Sequence, residues 1–272
     1  MYNASGTHCL DIGDAAIAFR TNGVRGGIPL VLLPRQRATM DDWDPRFIDA
    51  LAMDHFVVRF DSPGIGLSSG STPFTIKDMA RDVADFLECS ELGTVDLLGW
   101  SMGGAVAQQM ALDYPQTVRR MIVAGSSPGR ILEGPRQHPY VARLMAKPEQ
   151  DEEEVLFLLY PDTYEAQSCG RSSLSRIYAR GNEISRVGAL SYIAQVKAMA
   201  EWPGILHRAR ELHLPILVTA GALDIVTPAY RSFVLAQQVP DAKLIVYPAS
   251  GHAFLFQKLG EFVDDVTRFL TE

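Results

Sequence analysis

The 272-residue sequence predicts an α/β protein with a mostly parallel central sheet flanked by helices. Two observations lead to this prediction. Short, wholly apolar runs, which are typical of strands buried on both faces, alternate with segments whose apolar residues recur at helical spacing. Parallel strands also need long crossover connections, and a helix between successive strands provides one.

The strands begin with a predicted β-hairpin over Leu10–Arg20, where two short alternating runs flank the turn-forming pair Gly13-Asp14. Six later apolar runs are predicted as strands of the parallel sheet: Leu30–Leu33, Phe56–Phe60, Val95–Trp100, Arg120–Ala124, Pro215–Thr219 and Lys243–Tyr247. The chain therefore has enough strands for one large sheet.

Helices are predicted between these strands. Asp44 is the expected N-cap of a helix that reaches Met53, with Pro45 at its first position. Thr75 caps a second helix, whose apolar residues from Ile76 to Leu87 lie on one face. Two more helices are predicted, one directly after a strand and one at the end of the chain: Met102–Leu112 and Leu259–Leu270.

The alternation of strands and helices stops between Ser126 and Trp202. In this stretch the sequence predicts only helices: Tyr140–Ala146, Asp151–Leu159, Ser172–Arg180 and Arg186–Ala200. A helical insertion between two strands of a sheet is most simply a cap over one edge of that sheet. We therefore expect a core of residues 1–125 and 203–272 and an all-helical cap of residues 126–202.

Composition excludes several classes of partner. The formal net charge of −7 argues against a nucleic-acid partner, because binding to phosphates needs a basic surface. No uninterrupted apolar run approaches the roughly 18 residues that a membrane span requires. We therefore expect a small-molecule substrate as the partner, no nucleic acid and no membrane, and either a monomer or a homodimer.

The cysteines predict neither a metal site nor a disulfide framework. Cys9, Cys89 and Cys169 are widely spaced and form no cluster with histidine. We expect them to be reduced thiols packed as small apolar side chains. The first 21 residues also lack a basic stretch followed by an apolar run, so no signal peptide is predicted. The expectation is a cytoplasmic protein without metal or cofactor.

The pentapeptide pattern Gly-x-Ser-x-Gly occurs twice, around Ser101 and around Ser68. Its chemistry needs a sharp turn from a strand into a helix, which lifts the serine hydroxyl clear of the sheet. Ser101 stands between the strand that ends at Trp100 and the helix that begins at Met102. Ser68 instead lies in a Gly/Ser/Pro loop, and the next helix starts only near Thr75. Ser101 is therefore the predicted nucleophile, and Ser68 has a predicted structural role.

A serine nucleophile needs a histidine base, and the base needs an acid that orients it. At sites of this type the acid and then the histidine follow the nucleophile along the chain. Asp224 follows the strand at Pro215–Thr219, and His252 follows the strand at Lys243–Tyr247. Because ligands bind beyond the carboxyl ends of parallel strands, we expect Ser101, Asp224 and His252 to converge on one edge of the sheet.

Four segments carry a resemblance to a known family: Phe60–Ser68, Gly99–Gly104, Asp224 with Pro228, and Gly251-His252. Together they resemble the α/β-hydrolase superfamily, especially its small cap-bearing esterases, lactonases and cofactor-free haloperoxidase-like members. The resemblance covers essentially the whole chain outside the cap. It implies the α/β-hydrolase fold and an oxyanion hole whose first backbone N–H comes from Met102.

One loop departs from that family. Relatives usually carry His-Gly after the first buried parallel strand, where this chain has Pro34–Arg37. The loop normally supplies the second oxyanion donor, so one hypothesis is that the backbone N–H of Arg35 or Gln36 still serves. The other is that a side chain of Arg35, Gln36 or Arg37 reaches the reacting centre, where it binds an anionic group or alters the chemistry. Pairing of these arginines with Asp41, Asp42 or Asp44 would make them structural instead.

The sequence therefore predicts a serine hydrolase that cleaves an ester or lactone bond of a small, largely apolar molecule through an acyl-enzyme on Ser101. The expected substrate-binding residues are Trp100, Arg37, Leu156 and Tyr160. Two alternatives remain open. The same triad could serve a lyase, cyclase or isomerase with an altered oxyanion loop, or the scaffold could be a non-catalytic receptor, although a receptor need not keep all three groups.

Overall fold

A computed structural model describes residues 6–131, 134–135, 137–147, 149–179 and 186–272. Within these residues the strands are β1 (His8–Ile12), β2 (Ala15–Asn22), β3 (Leu30–Leu33), β4 (Val57–Phe60), β5 (Val95–Trp100), β6 (Val118–Ala124), β7 (Ile216–Gly221) and β8 (Ala242–Tyr247). They form one sheet in the order β1-β2-β4-β3-β5-β6-β7-β8.

The predicted mostly parallel sheet is confirmed. The six strands from β3 to β8 run parallel, whereas β2 is antiparallel to both β1 and β4. The predicted opening hairpin is also confirmed, since β1 and β2 are joined through Gly13, which has a φ of 57°. All carboxyl ends of the parallel strands consequently meet at one edge of the sheet.

The helices in the described residues are α1 (Pro45–Leu51), α2 (Ile76–Cys89), α3 (Met102–Asp113), α4 (Pro139–Met145), α5 (Glu152–Leu159), α6 (Tyr164–Tyr178), α7 (Ala189–Glu201), α8 (Ala229–Gln238), α9 (Phe254–Gln257) and α10 (Leu259–Thr271). The predicted caps are present at both early helices. The Asp44 side chain accepts from Arg46 N ahead of α1, and the Thr75 side chain accepts from Asp78 N ahead of α2.

Alternate residues of each central strand enter two separate cores. In β3, Val31 and Leu33 pack with α2, α3 and α8 on one face, while Leu30 and Leu32 pack with α1 and α10 on the other. This two-residue period is what a strand buried on both faces requires. The sheet is thus covered by helices on both sides, and only its edges are open for a site.

The four helices α4–α7 lie between β6 and β7, and we call them the inserted helices. They bond to loops that follow the carboxyl ends of β3, β4 and β8. The bonds are Gln195 Oε1 with Arg37 N (2.9 Å), Ser191 Oγ with Gly64 O (2.6 Å), and Leu159 O with Ala253 N (2.9 Å). The inserted helices therefore sit over the edge of the sheet at which the candidate residues were predicted to converge.

Helix α6 begins at Tyr164, eight residues before its predicted start at Ser172; its predicted end, Arg180, lies outside the described residues. Gly170 explains the difference, because a glycine inside a helix lowers helical propensity. A Cβ on Gly170 would lie only 2.5 Å from Leu156 Cδ2, so glycine is needed there for α6 to approach α5.

None of the helices in the described part of the chain is long and apolar enough to cross a membrane. All three cysteines are free, in keeping with the expected reduced thiols. Cys9 and Cys89 are nevertheless exposed, so the prediction that they pack as small apolar side chains is wrong for these two. Both lie at the margins of the fold, at β1 and at the end of α2, where little packs over them.

Candidate active site

Ser101 occupies the turn between β5 and α3 in a strained conformation. Its φ of 56° and ψ of −115° lie in a region that residues with a side chain rarely adopt. Three backbone bonds hold it there: its N–H donates to Ala124 O (2.8 Å), and its carbonyl accepts from Gly104 N (2.9 Å) and Ala105 N (3.3 Å). The predicted strand–turn–helix context of Ser101 is therefore present.

The turn requires glycine because three backbones approach closely. A Cβ on Gly103 would lie 2.1 Å from Leu33 O, at the end of β3. A Cβ on Gly99 would lie 2.3 Å from Gly103 O. The first turn of α3 is thereby pressed against the backbone of Leu33 and Pro34, so the loop after β3 lies beside the serine.

Asp224 and His252 form a buried pair. His252 Nδ1 lies 2.7 Å from Asp224 Oδ2, and the two residues are 2% and 5% exposed. The other carboxylate oxygen, Oδ1, accepts from Val226 N and Thr227 N, each at 2.8 Å. Both oxygens of Asp224 are thus engaged, and a carboxylate on Nδ1 fixes the tautomer that leaves Nε2 open to accept a proton.

Trp100 lies behind the histidine rather than in the substrate space. Its Nε1 donates to His252 O (3.0 Å), and its ring packs against those of Trp43 and Phe256 at 5.7 and 5.3 Å. Trp100, which was predicted to bind substrate, is not among the residues that line the cavity at Ser101. Trp100 is the last residue of β5, and its side chain lies in the same core as Leu30 and Leu32 of β3.

A cavity of about 30 Å³ adjoins the serine, with room for roughly two water molecules. It is lined by both Ser101 and His252, while Asp224 stands behind the histidine. The remaining lining residues are Arg35, Gln36, Arg37, Met145, Gln150, Val155, Leu158, Leu159 and Val226. Every residue of the unusual loop after Pro34 therefore contributes to this space, including Arg37, which was predicted to bind substrate.

The Arg35 side chain is held by its own loop. Its guanidinium lies over the Trp100 ring, 5.6 Å from the centroid, and Nη1 donates to Gln36 O (3.0 Å). Nη2 lies 3.7 Å from Asp42 Oδ1. Of the three aspartates considered as partners for the loop arginines, Asp42 has this role.

The other two aspartates pair elsewhere: Asp41 with Arg20, and Asp44 with Arg176 of α6 (2.6 Å). Asp44 also accepts from Ser173 Oγ at 2.7 Å, in addition to capping α1. Both carboxylates therefore have structural roles away from the cavity.

Arg37 connects the loop to the inserted helices. Its backbone is left-handed, with a φ of 61°, and its N–H donates to Gln195 Oε1. The guanidinium lies 3.6 Å from the centroid of the Tyr192 ring, and Nη2 donates to Lys147 O at 2.5 Å. Arg37 therefore has both a fixed side chain and a place in the cavity wall.

The backbone donors expected for an oxyanion hole lack an acceptor among the described residues. No described residue accepts a hydrogen bond from the N–H of Met102, Gln36 or Arg35. The Met102 N–H belongs to the first turn of α3, where such groups lack intrahelical partners and the helix dipole favours negative charge.

The inserted helices present a different face to the cavity than predicted. Leu156 is fully buried against Gly170 of α6, and Tyr160 packs on the same glycine. Both were predicted to bind substrate, but neither is among the residues that line the cavity at Ser101. Their neighbours Val155, Leu158 and Leu159 line the cavity instead. Because α5 is apolar over much of its surface, its sequence does not indicate which face is turned towards the cavity.

Three further lining residues, outside α5, were not predicted: Met145, Gln150 and Val226. Val226 stands two residues after Asp224, and this closeness to the predicted acid was the one feature of the sequence that indicated a position near the site. Met145 and Gln150 flank the short connection between α4 and α5, where neither periodicity nor a motif indicates a functional position.

The second pentapeptide has the structural role predicted for it. Ser68 Oγ donates to Asp61 O (2.6 Å) and accepts from Ala18 N (2.9 Å), and the residue is buried. These bonds tie the loop after β4 to β2, which leaves Ser101 as the serine that faces the cavity.

Comparisons with known proteins agree with this architecture. A sequence model of the family described as alpha/beta hydrolase fold matches residues 28–259. A poly(3-hydroxyalkanoate) depolymerase from Ectopseudomonas oleovorans is 29% identical over 228 residues, which are 83% of this chain and 78% of the relative. A pimeloyl-[acyl-carrier protein] methyl ester esterase from Nitrosomonas europaea is 25% identical over 248 residues, 88% of this chain and 93% of the relative.

Among solved structures, an alpha/beta hydrolase fold protein from Chitinophaga pinensis is similar with a TM-score of 0.87 and 27% sequence identity. The similarity covers 98% of this chain and 97% of that chain, so it includes the inserted helices as well as the sheet.

Proposed function

This chain belongs to the alpha/beta hydrolase fold family, and on that premise we propose that it is a serine hydrolase that cleaves an ester or lactone bond of a small, largely apolar molecule. The observation that supports this most directly is the cavity shared by Ser101 and His252, with Asp224 bonded behind the histidine. Among the similar proteins, the esterase from Nitrosomonas europaea is named for the hydrolysis of a methyl ester.

The proposed reaction begins with a proton transfer. His252 Nε2 removes the Ser101 proton while the Asp224 carboxylate holds Nδ1–H and stabilises the imidazolium that forms. Ser101 Oγ then attacks the carbonyl carbon and expels the alcohol, which takes the proton from His252. Water, deprotonated in turn by His252, hydrolyses the acyl-enzyme and restores the serine.

The negative oxygen that forms during each attack is assigned to open backbone donors. The Met102 N–H at the first turn of α3 is one donor, and the N–H of Gln36 or Arg35 is the other, since the Gly103 contact brings this loop against α3. Two such donors are a large part of the rate enhancement, and losing one costs about 10²–10³ in kcat.

The cavity walls support a substrate that is largely apolar. Met145, Val155, Leu158, Leu159 and Val226 form an apolar wall across from the polar loop. Hydrophobic side chains around a few polar groups are typical of small-molecule sites, where the apolar wall binds and the polar groups orient.

A second candidate function is a lyase, cyclase or isomerase that keeps the triad but forms no acyl-enzyme on Ser101. The observation that favours it is the presence of two arginines, Arg35 and Arg37, among the residues that line the cavity of Ser101. A guanidinium in a site that excludes water can stabilise an anionic intermediate without an acyl-enzyme. In that case the reaction persists in Ser101→Ala, whereas the hydrolase loses its activity.

The deciding experiment combines covalent labelling with turnover. A fluorophosphonate should label the wild-type protein and Ser68→Ala, which changes the duplicated pentapeptide, but not Ser101→Ala. On a panel of p-nitrophenyl esters and lactones of graded acyl length, Ser101→Ala should lose at least about 10³-fold in kcat. An unlabelled wild-type protein, or unchanged turnover in Ser101→Ala, would rule out the serine hydrolase.

A further inference from the structure

Building on the proposed function, we propose that the substrate is anionic: an acyl group with a short apolar stem that ends in a carboxylate bound by Arg35 and Arg37. The two arginines come from the loop after β3, which forms one wall of the cavity at Ser101. The apolar wall comes mainly from α4 and α5. A neutral apolar acyl group would match only the second of these walls.

The charges around the cavity are unbalanced. Its lining contains two arginines and no acidic residue. The nearest carboxylate described for Arg35 is Asp42, whose Oδ1 lies 3.7 Å from Nη2 while its Oδ2 accepts from Thr39 N (2.8 Å) and Thr39 Oγ1 (3.1 Å). The carboxylate beside Arg35 is thus shared with Thr39.

Asp42 is also a weak counter-ion. Burial raises the pKa of its carboxyl group despite the adjacent Arg35, because removing the carboxylate from water outweighs the attraction of the guanidinium. A carboxylate that is costly to ionise balances a cation less well than an exposed one. A ligand carboxylate would restore the balance from the cavity side.

The arginines are held in place but retain capacity to donate. Arg35 Nε is buried, and no described residue accepts its hydrogen bond. A buried donor on a charged group is costly when left unsatisfied, so the described residues satisfy the Arg35 guanidinium only in part. The guanidiniums also rest on the rings of Trp100 and Tyr192, which reduces the ordering required on binding.

The position of the loop limits the length of the substrate. The same loop supplies the proposed oxyanion donor, the N–H of Gln36 or Arg35, and the two guanidiniums. The reacting carbonyl and the remote carboxylate must therefore lie within one short loop of each other.

The test uses two substrates of equal acyl length, p-nitrophenyl pentanoate and the p-nitrophenyl monoester of glutarate, with Ser101→Ala as the blank for spontaneous hydrolysis. In the wild-type protein, kcat/KM for the glutarate monoester should exceed that for the pentanoate by about tenfold or more, as expected for a charge-assisted hydrogen bond. Equal values, or a preference for the pentanoate, would overturn the proposal.

Variants then assign the preference. Arg35→Gln and Arg37→Gln should each lower the ratio of the two kcat/KM values by about fivefold or more, and Arg37→Lys should retain part of it because a point charge remains. Arg210→Gln removes the same charge from an exposed residue outside the cavity lining and should leave the ratio unchanged. An equal loss in Arg210→Gln would show that net charge, not this site, sets the preference.

A binding measurement separates this proposal from the proposed function. Glutarate should raise the Tm of Ser101→Ala more than glutaramide does, whether or not any ester is hydrolysed. Equal shifts would overturn the carboxylate site even if pentanoate is cleaved. Conversely, a glutarate-specific shift without fluorophosphonate labelling of the wild-type protein would retain the carboxylate site and exclude the serine hydrolase.

Discussion

Ser101 is a single residue held in a conformation that its side chain disfavours. A non-glycine residue in such a region costs about 1–3 kcal/mol, so its surroundings must impose it. The Ala124 carbonyl on one side and two amides of α3 on the other do so here. The result is a side chain that leaves the plane of the sheet and faces His252 across the cavity.

Asp61 is a second residue whose surroundings determine its chemistry. Its Oδ1 accepts from Met40 N (2.7 Å) and its Oδ2 from Leu67 N (2.9 Å), so it joins the loops after β3 and β4. Burial raises the pKa of this carboxyl group to about 6, although both backbone bonds favour the ionised form. Asp61 thus supports the edge of the sheet near the site at an energetic cost that depends on pH.

Asp61→Asn should reveal this cost. Because the pKa is higher in the folded state than its ordinary value of 3.8, the folded protein binds more protons than the unfolded chain between about pH 4 and 6. Ionisation of Asp61 therefore reduces stability as the pH rises through that window, and the variant lacks this reduction. Relative to Asp61→Asn, the wild-type protein should lose at most about 3 kcal/mol of unfolding free energy between pH 4 and pH 7.

Urea denaturation of both proteins at about pH 4, 5, 6 and 7 measures the difference. Other carboxyl groups cancel in the comparison, including Asp82, whose pKa burial also raises to about 6. A difference that stays constant across this range would show that Asp61 ionises at its ordinary pKa in the folded protein.

At the residue scale the sequence predicted positions better than orientations. Chain order and strand ends were enough to single out Ser101, Asp224 and His252, because a strand fixes where its last residue lies. The contacts of Trp100 and Leu156 depend on which way a side chain points from a strand end or around an apolar helix. That choice is decided by packing against distant residues, such as Phe256 and Gly170, which no local pattern reports.

At the scale of elements, β5, Ser101 and α3 act as one unit with β3. The first turn of α3 lies against the Leu33 carbonyl, so the nucleophile and the loop that carries Arg35 to Arg37 keep a fixed spacing. Any side chain at Gly103 would force these two elements apart. The geometry of the site therefore depends on a position that takes no part in the chemistry.

Gly103→Ala should reduce both stability and activity, since its Cβ would lie 2.1 Å from a backbone oxygen that cannot rotate away. We expect a loss of about 2 kcal/mol or more in unfolding free energy and of about 10²-fold or more in kcat.

Gly260→Ala is the matched control: this glycine lies exposed in α10 with no atom within 4 Å of its Cβ position. It should gain about 0.5–1 kcal/mol, because alanine favours a helix. Equal effects of the two changes in thermal denaturation would contradict the proposed role of the close approach.

The elements differ in how clearly the sequence specified them. The parallel strands were predicted because burial on both faces leaves a continuous apolar run. Helix α8 was not predicted: no side chain caps it, and only Ser232 and Leu235 are buried, so its apolar pattern is weak. Helix α9 has four residues and is too short for periodicity to show.

At the scale of the whole molecule, the inserted helices close the site. The cavity at Ser101, about 30 Å³, is far smaller than a groove of about 450 Å³ on the outer side of α5. Phe157, Tyr160 and Ile225 are among the residues that line the groove. Leu158 lines both spaces, so its side chain stands between them. We therefore expect Leu158 to limit how far a substrate extends from Ser101 towards the groove.

Leu158→Ala should therefore join the cavity to the groove and extend the acyl length that the site accepts. The ratio of kcat/KM for p-nitrophenyl octanoate to that for the butyrate should rise by about tenfold, since several methylene groups would be buried along the groove. Leu156→Ala makes the same change two residues away but faces α6, so it should cost about 2–5 kcal/mol of stability and leave this ratio unchanged. If Leu156→Ala widened the acyl range as much as Leu158→Ala did, loosening of α5 as a whole, not one side chain, would govern access to Ser101.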